Sequence, residues 1–162
     1  MHRPTPQRTL LITGASRGIG AATARLAAAR GWDVAINYRQ DTAAAEAVAA
    51  DVRAAGQRAV LLRADVAIEA EAVAMFAQLD GLAGADIAPL GGLVNNAGVV
   101  DVAARVDEMP GQRIQRMFAV NVFGTIACAR EAVRRMSTRH GGRGGVIVNL
   151  SSAAARLGSP GQ

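Results

Sequence analysis

The sequence predicts an α/β protein, a parallel sheet wound by helices on both faces, and three observations carry that prediction. Short apolar runs at residues 10–12, 33–38, 59–62, 93–94 and 146–150 alternate with helical patterns, the order of a doubly wound parallel sheet with right-handed crossovers. A glycine-rich turn over residues 13–20 joins the first run to an alanine-rich helix. The composition is 51% hydrophobic but 3% aromatic, so the core is built from Ala, Val, Leu and Ile, which suits helices packed on a buried sheet. A chain of 162 residues can bury one good core. The organisation expected is a polar tail at residues 1–8, holding His2, Pro4 and Pro6, and a single domain over residues 9–162.

Each element has its own signal. The helix after the first strand begins near Gly18, runs through small residues to Arg30 and stops at Gly31, a C-terminal cap. Residues 33–38, Asp-Val-Ala-Ile-Asn-Tyr, form the second strand. The helix at 42–55 has Thr42 as its expected N-cap and Gly56 as its stop. After the third strand, residues 69–79 are amphipathic, with Val73, Phe76 and Leu79 on the apolar face. Residues 81–92 contain Gly84, Pro89, Gly91 and Gly92 and read as the longest loop. The fourth strand should end at Asn95-Asn96. Residues 111–138 read as one long helix, with Ile114, Phe118, Val122, Ile126 and Val133 along one side and Met117, Val120 and Cys128 elsewhere. So wide an apolar girth implies contact with both the sheet and a partner surface, hence a homo-oligomer, a dimer or tetramer.

Charge and cysteine usage narrow the function classes. Net charge is +5, the pI is near 11.1, and all eighteen basic residues are Arg. The arginines are dispersed and aromatic interleaving is absent, so nucleic acid is not the expected partner. One cysteine, Cys128, forms no internal disulfide and fits a reducing cytoplasm; its expected state is a small buried group. No stretch has the apolar length of a membrane helix, and no metal site is expected.

The chemistry starts at the turn, Thr-Gly-Ala-Ser-Arg-Gly-Ile-Gly at residues 13–20. Gly14, Gly18 and Gly20 allow a sharp turn, close ligand approach and close contact of helix and strand. The free N–H groups and the dipole at the helix start favour a pyrophosphate. The Gly-x-x-x-Gly-x-Gly spacing departs from the general dinucleotide fingerprint. Thr-Gly-x-x-x-Gly-x-Gly after a first strand resembles the short-chain dehydrogenase/reductase family, which implies a Rossmann-type sheet and an NAD(P) cofactor. Gly14, Ser16, Arg17, Gly18, Ile19 and Gly20 would then hold the pyrophosphate side.

About twenty residues further on, where an acid usually holds the ribose 2′-hydroxyl, the chain carries Tyr38 and Arg39. A guanidinium pairs with a 2′-phosphate that an acid would repel, so Arg39 with Arg17 points to NADP rather than NAD. Asp65 reads equally well as a helix cap; the resemblance implies that Asp65 and Val66 contact the adenine. It likewise implies that Asn95-Asn96-Ala97-Gly98 stabilises the sheet and that Asn96, Ala97 and Gly98 border ribose and nicotinamide.

The resemblance further assigns catalytic positions. Asn121, a poor helix former, matches the family's active-site Asn, which distorts its helix so that a freed carbonyl holds a water. Ser152 matches the Ser that hydrogen-bonds the reacting carbonyl oxygen of a small carbonyl or alcohol substrate. The family's Tyr-x-x-x-Lys pair is not in these 162 residues: Tyr38 is the only Tyr, and there is no Lys. The expectation is therefore the front part of a longer oxidoreductase, of glucose 1-dehydrogenase-like or 3-oxoacyl-carrier-protein-reductase-like type. The alternative is an NADP-binding or scaffold module that catalyses nothing.

Overall fold

A computed structural model describes residues 8–161. Residues 1–7 of the expected tail lie outside them. Arg8 belongs to the fold instead, its carbonyl accepting from the Asp33 N–H at 3.1 Å.

Five parallel strands form one sheet: β1 (Thr9–Ile12), β2 (Asp33–Tyr38), β3 (Ala59–Arg63), β4 (Leu90–Asn95) and β5 (Val146–Asn149), in the order β3-β2-β1-β4-β5. The helices are α1 (Gly18–Ala29), α2 (Thr42–Ala54), α3 (Glu69–Leu82), α4 (Gly111–Phe118), α5 (Thr125–Met136) and the single turn α6 (Ala154–Leu157). This is a Rossmann-type sheet. Strand order reverses between β1 and β4, so a crevice opens beyond the carboxyl ends of those two strands.

Every residue of β1 and β2 is buried, as central parallel strands covered on both faces require. Two cores result. One packs Ala21, Ala24, Ala28, Val48 and Val52 of α1 and α2 against Ile12, Val34 and Ile36. The other packs Met75, Phe76, Leu79, Cys128 and Ala132 of α3 and α5 against Leu11, Leu62 and Leu93. At the amino ends of the strands, fully buried Asp33 is gripped by Arg58 at 2.8 and 2.9 Å and accepts the N–H groups of Arg58 and Ala88.

Several expectations are corrected. The loop at 81–92 is shorter, because α3 runs to Leu82 and β4 starts at Leu90. Asp41, not Thr42, caps α2, its carboxylate accepting from the Ala44 N–H at 2.9 Å. On α3 the buried face is Ala72, Met75, Phe76 and Leu79, while Val73 is partly exposed. The helix expected at 111–138 is interrupted by a π-helical segment, Ala119–Gly124. Gly124 there lies against β3's following loop, where a Cβ would come within 2.7 Å of the Val66 carbonyl. The apolar girth divides as expected: Val120, Ala127, Cys128, Ala132 and Met136 face inward, and Ile114, Phe118, Val122, Ile126 and Val133 are exposed.

Candidate functional site

The glycine turn is built by long-range polar contacts as much as by its own residues. Asn37 on β2 accepts the Gly14 N–H at 3.1 Å and donates to the Leu62 and Ala64 carbonyls, both at 3.1 Å. From the other side, the Thr13 hydroxyl accepts the N–H groups of Asn96 and Ala97 at 3.0 Å. Asn96 returns two bonds to the turn, to the carbonyls of Thr13 at 2.8 Å and Gly14 at 3.0 Å. A strand on each flank therefore fixes the turn.

The glycines of the turn are required for different reasons: Gly14 has φ +62° and a Cβ there would lie 2.9 Å from the Ala97 Cα. Gly18 sits at φ +57° with open space where a Cβ would point. Gly20 has ordinary φ, yet a Cβ would lie 2.5 Å from Asn96 Nδ2 and 2.7 Å from the Gly14 carbonyl. Helix geometry leaves the N–H groups of Gly18, Ile19 and Gly20 without intrahelical acceptors, the first bond running from Ala21 N–H to the Arg17 carbonyl. With the positive end of the α1 dipole, they can take an anion.

A groove of about 400 Å³ opens above this turn, within the size range of ligand sites. Gly14, Ser16, Arg17, Gly18, Ile19, Tyr38, Arg39, Asp65, Val66, Asn96, Ala97 and Gly98 all line it. Gly20 lies beneath the turn rather than in the lining. The donor set, backbone N–H groups flanked by arginines, fits a dinucleotide whose two halves are joined by a pyrophosphate.

Asp65 is no helix cap. Ile68 stands at the N-cap of α3, and Asp65 Oδ1 accepts the Ala67 N–H at 3.0 Å in a local turn. Its Oδ2 pairs with Arg116 of α4 at 2.9 Å and more loosely with Arg39 at 3.7 Å. Arg116, Asn37, Gln40, Asp41, Ala64, Val99 and Val120 also line the groove and were not singled out from the sequence. For Asn37 there was a signal, an amide directly after the apolar run Val34–Ile36 of β2; for Arg116, one of eighteen arginines, there was none.

Asn121 lies in the π-helical segment, outside the groove lining. Its side chain clasps the Val99 backbone, accepting from the N–H and donating to the carbonyl, both at 2.9 Å. The Asn121 carbonyl accepts the Thr125 hydroxyl at 3.0 Å, which leaves its second lone pair for the water expected there. Ser152 is exposed beyond β5, also outside the groove lining. Its hydroxyl accepts the Ala154 N–H at 3.1 Å in a turn that opens α6. Asn95 links β4 to Asn149 of β5 at 2.9 Å and to the Thr125 carbonyl at 3.2 Å.

On the opposite side of the second core, burial pushes the carboxyl of Glu131 up. Hydrogen bonds from Arg135 and Arg130, with the charge of Arg134, outweigh it and hold the carboxyl below its ordinary value. Burial, then the Glu131 charge, pushes the neighbouring Cys128 thiol up to about 12. Among the described residues no group of three or more His, Cys, Asp or Glu side chains gathers as a metal site, and no helix is long and apolar enough to cross a membrane.

A Rossmann-type sheet with a Thr-Gly-x-x-x-Gly-x-Gly turn at its switch point defines a class of nucleotide-binding α/β domain. The family model described as short chain dehydrogenase matches residues 8–162, and the chain belongs to that family. It is 47% identical over 152 residues to the uncharacterized oxidoreductase YgfF of Escherichia coli, covering 94% of this chain and 60% of that protein. It is 37% identical over 158 residues to an L-rhamnose 1-dehydrogenase (NAD(P)(+)) of a Sphingomonas species, covering 93% and 57%. A 3-oxoacyl-[acyl-carrier-protein] reductase of a Synechocystis species is 37% identical over 153 residues, covering 94% and 58%. A solved variant of a Serratia marcescens short-chain dehydrogenase/reductase superposes with a TM-score of 0.84 at 33% identity, covering 98% of this chain and 61% of the other. The chain thus spans about 60% of the length of the curated relatives it matches.

Proposed function

We propose that this chain is the nucleotide-binding part of an NADP-dependent oxidoreductase acting on a small carbonyl or alcohol substrate. The observation that carries the proposal is the groove itself, where a glycine turn capped by helix N–H groups meets Arg17 and Arg39 beyond β2. Gly14, Ser16, Arg17, Gly18 and Ile19 would hold the pyrophosphate, Arg17 and Arg39 the 2′-phosphate, Asp65 and Val66 the adenine, and Asn96, Ala97 and Gly98 the ribose and nicotinamide. Gly20 would serve from beneath by letting α1 approach Asn96. When bound, the nicotinamide supplies or takes a hydride at its C4.

On the substrate side, Ser152 would donate a hydrogen bond to the reacting oxygen, and its exposed hydroxyl keeps its proton available because the bond to Ala154 uses only a lone pair. Asn121 would act by fixing Val99 at the groove's edge. Proton transfer is assigned to no residue of this chain, since Tyr38 lies at the adenosine side. The substrate class is supported by the relatives' names, which share exchange between carbonyl and alcohol.

A second copy of the chain would cover the α4–α5 face, where Phe118 is 54% and Ile126 60% exposed in one apolar stripe. Ile126→Glu should then lower the mass measured by light scattering to that of the monomer. An unchanged mass would remove the stripe from the interface. A cytoplasmic location completes the proposal, in keeping with one buried free thiol.

The decisive experiment is calorimetric titration with NADPH and NADH. Tighter binding of NADPH, reduced toward the NADH value by Arg39→Ala, is the result expected; no heat with either nucleotide would end the proposal.

A further inference from the structure

We infer that Arg116 sets the preference for a 2′-phosphorylated dinucleotide by neutralising Asp65, which leaves the guanidinium of Arg39 available to the phosphate. The inference rests on the reading of the groove as an NADP site and adds a residue of α4 to it.

Asp65 and Arg39 stand close enough to consume one another. Were they paired tightly, a 2′-phosphate would have to break an ion pair and approach a carboxylate, and both effects disfavour NADP relative to NAD. Arg116 prevents this. It approaches the same oxygen, Oδ2, 0.8 Å closer than Arg39 does, at 2.9 against 3.7 Å. The other carboxylate oxygen is occupied by the Ala67 N–H at 3.0 Å, so the carboxylate is held in a fixed direction, turned to α4.

Arg39 is correspondingly lightly held. Its remaining side-chain contact is to the neutral Gln40 Oε1 at 3.2 Å, and its side chain is 48% exposed. Asp41, the other acid lining the groove, is committed to capping α2, and Glu71 is engaged by the Asp65 N–H at 2.7 Å. Arg116 thus acts through Asp65 and is a positioning residue, with no contact to the phosphate required of it.

The distinguishing readout is the ratio of NADH to NADPH dissociation constants, measured by calorimetry on the purified chain. Contacts common to both nucleotides, including any to adenine, cancel in that ratio. Arg116→Ala should lower it about fivefold, the size of a partly exposed charge pair, as Arg39 moves onto Asp65. Arg116→Lys should keep most of it, and adding Asp65→Asn to Arg116→Ala should restore it. A ratio within about twofold of the parent for Arg116→Ala, or a double variant that fails to recover, overturns the inference while the parent's preference for NADPH leaves the proposed function standing. A parent that binds neither nucleotide, or prefers NADH, removes both.

Discussion

Gly20→Ala isolates the close approach of α1 to the fourth strand. The substitution improves helix propensity, by at most about 1 kcal/mol, since Gly20 stands in the first turn of α1. Against this, the new methyl would stand 2.5 Å from Asn96 Nδ2, 2.7 Å from the Gly14 carbonyl and 2.9 Å from Ala15 Cα, two of which are backbone. Asn96 cannot yield without loosening its bonds to the Thr13 and Gly14 carbonyls, worth roughly 1–3 kcal/mol together. Moving the backbone around a methyl in a packed site adds about 1–3 kcal/mol. The net loss is about 2–4 kcal/mol, a fall in Tm of roughly 5–15 °C for a chain of this length. Thermal unfolding followed by circular dichroism measures it. Gly81→Ala is the control of opposite sign: it lies in α3 with nothing within 4 Å of the new Cβ, and should gain up to about 1 kcal/mol. If Gly20→Ala melts at or above the parent, propensity outweighs contact and the account of this turn is wrong.

Other expectations follow from the same structure. Asp33→Ala strands the N–H groups of Arg58 and Ala88 and should cost about 2–4 kcal/mol in urea unfolding; a loss under about 1 kcal/mol would show that water replaces the carboxylate. Glu131 has a carboxyl held below its ordinary value of 4.5, so its contribution is present above that pH and is lost as pH falls through the lower folded value. Glu131→Gln should therefore flatten part of the decline in Tm between pH 5 and 3, taken as about a unit either side of the ordinary carboxylate range; parallel curves would remove Glu131 from the acid response. Cys128, buried with its thiol pushed up to about 12, should resist an aromatic disulfide reagent at pH 8, chosen as near an unperturbed thiol's range, until denaturant is added. Prompt reaction in the folded chain would contradict its burial.

What could be read along the chain was the succession of strands and helices, the glycine stops at Gly31 and Gly56, both at positive φ, and the turn at residues 13–20. These are local matters: apolar period, a missing Cβ and a helix end depend on neighbours a few residues away. The parallel, doubly wound character of the sheet also followed, since crossover handedness leaves few alternatives; its order, β3-β2-β1-β4-β5, came from the structure. The gathering of Arg17, Tyr38, Arg39, Asp65 and Asn96 around one groove was likewise within reach, because each lies at or just beyond the carboxyl end of a strand, or at the start of α1, along the same edge of the sheet.

Tertiary structure decided what rests on distant partners. Asn37 supports Gly14 from 23 positions away, and Asn96 braces Thr13 from 83. Arg116 meets Asp65 only because α4 comes to rest across the groove, and the apolar spacing along 111–138 gave no sign of the π-helical break that turns Asn121 toward Val99. Ala72 rather than Val73 faces the core because the sheet fixes the roll of α3, and Ser152 is drawn into a turn with Ala154. Local sequence specifies which backbone conformations are cheap; which side chains then satisfy one another depends on how those pieces pack, and that information is shared among residues far apart in the chain.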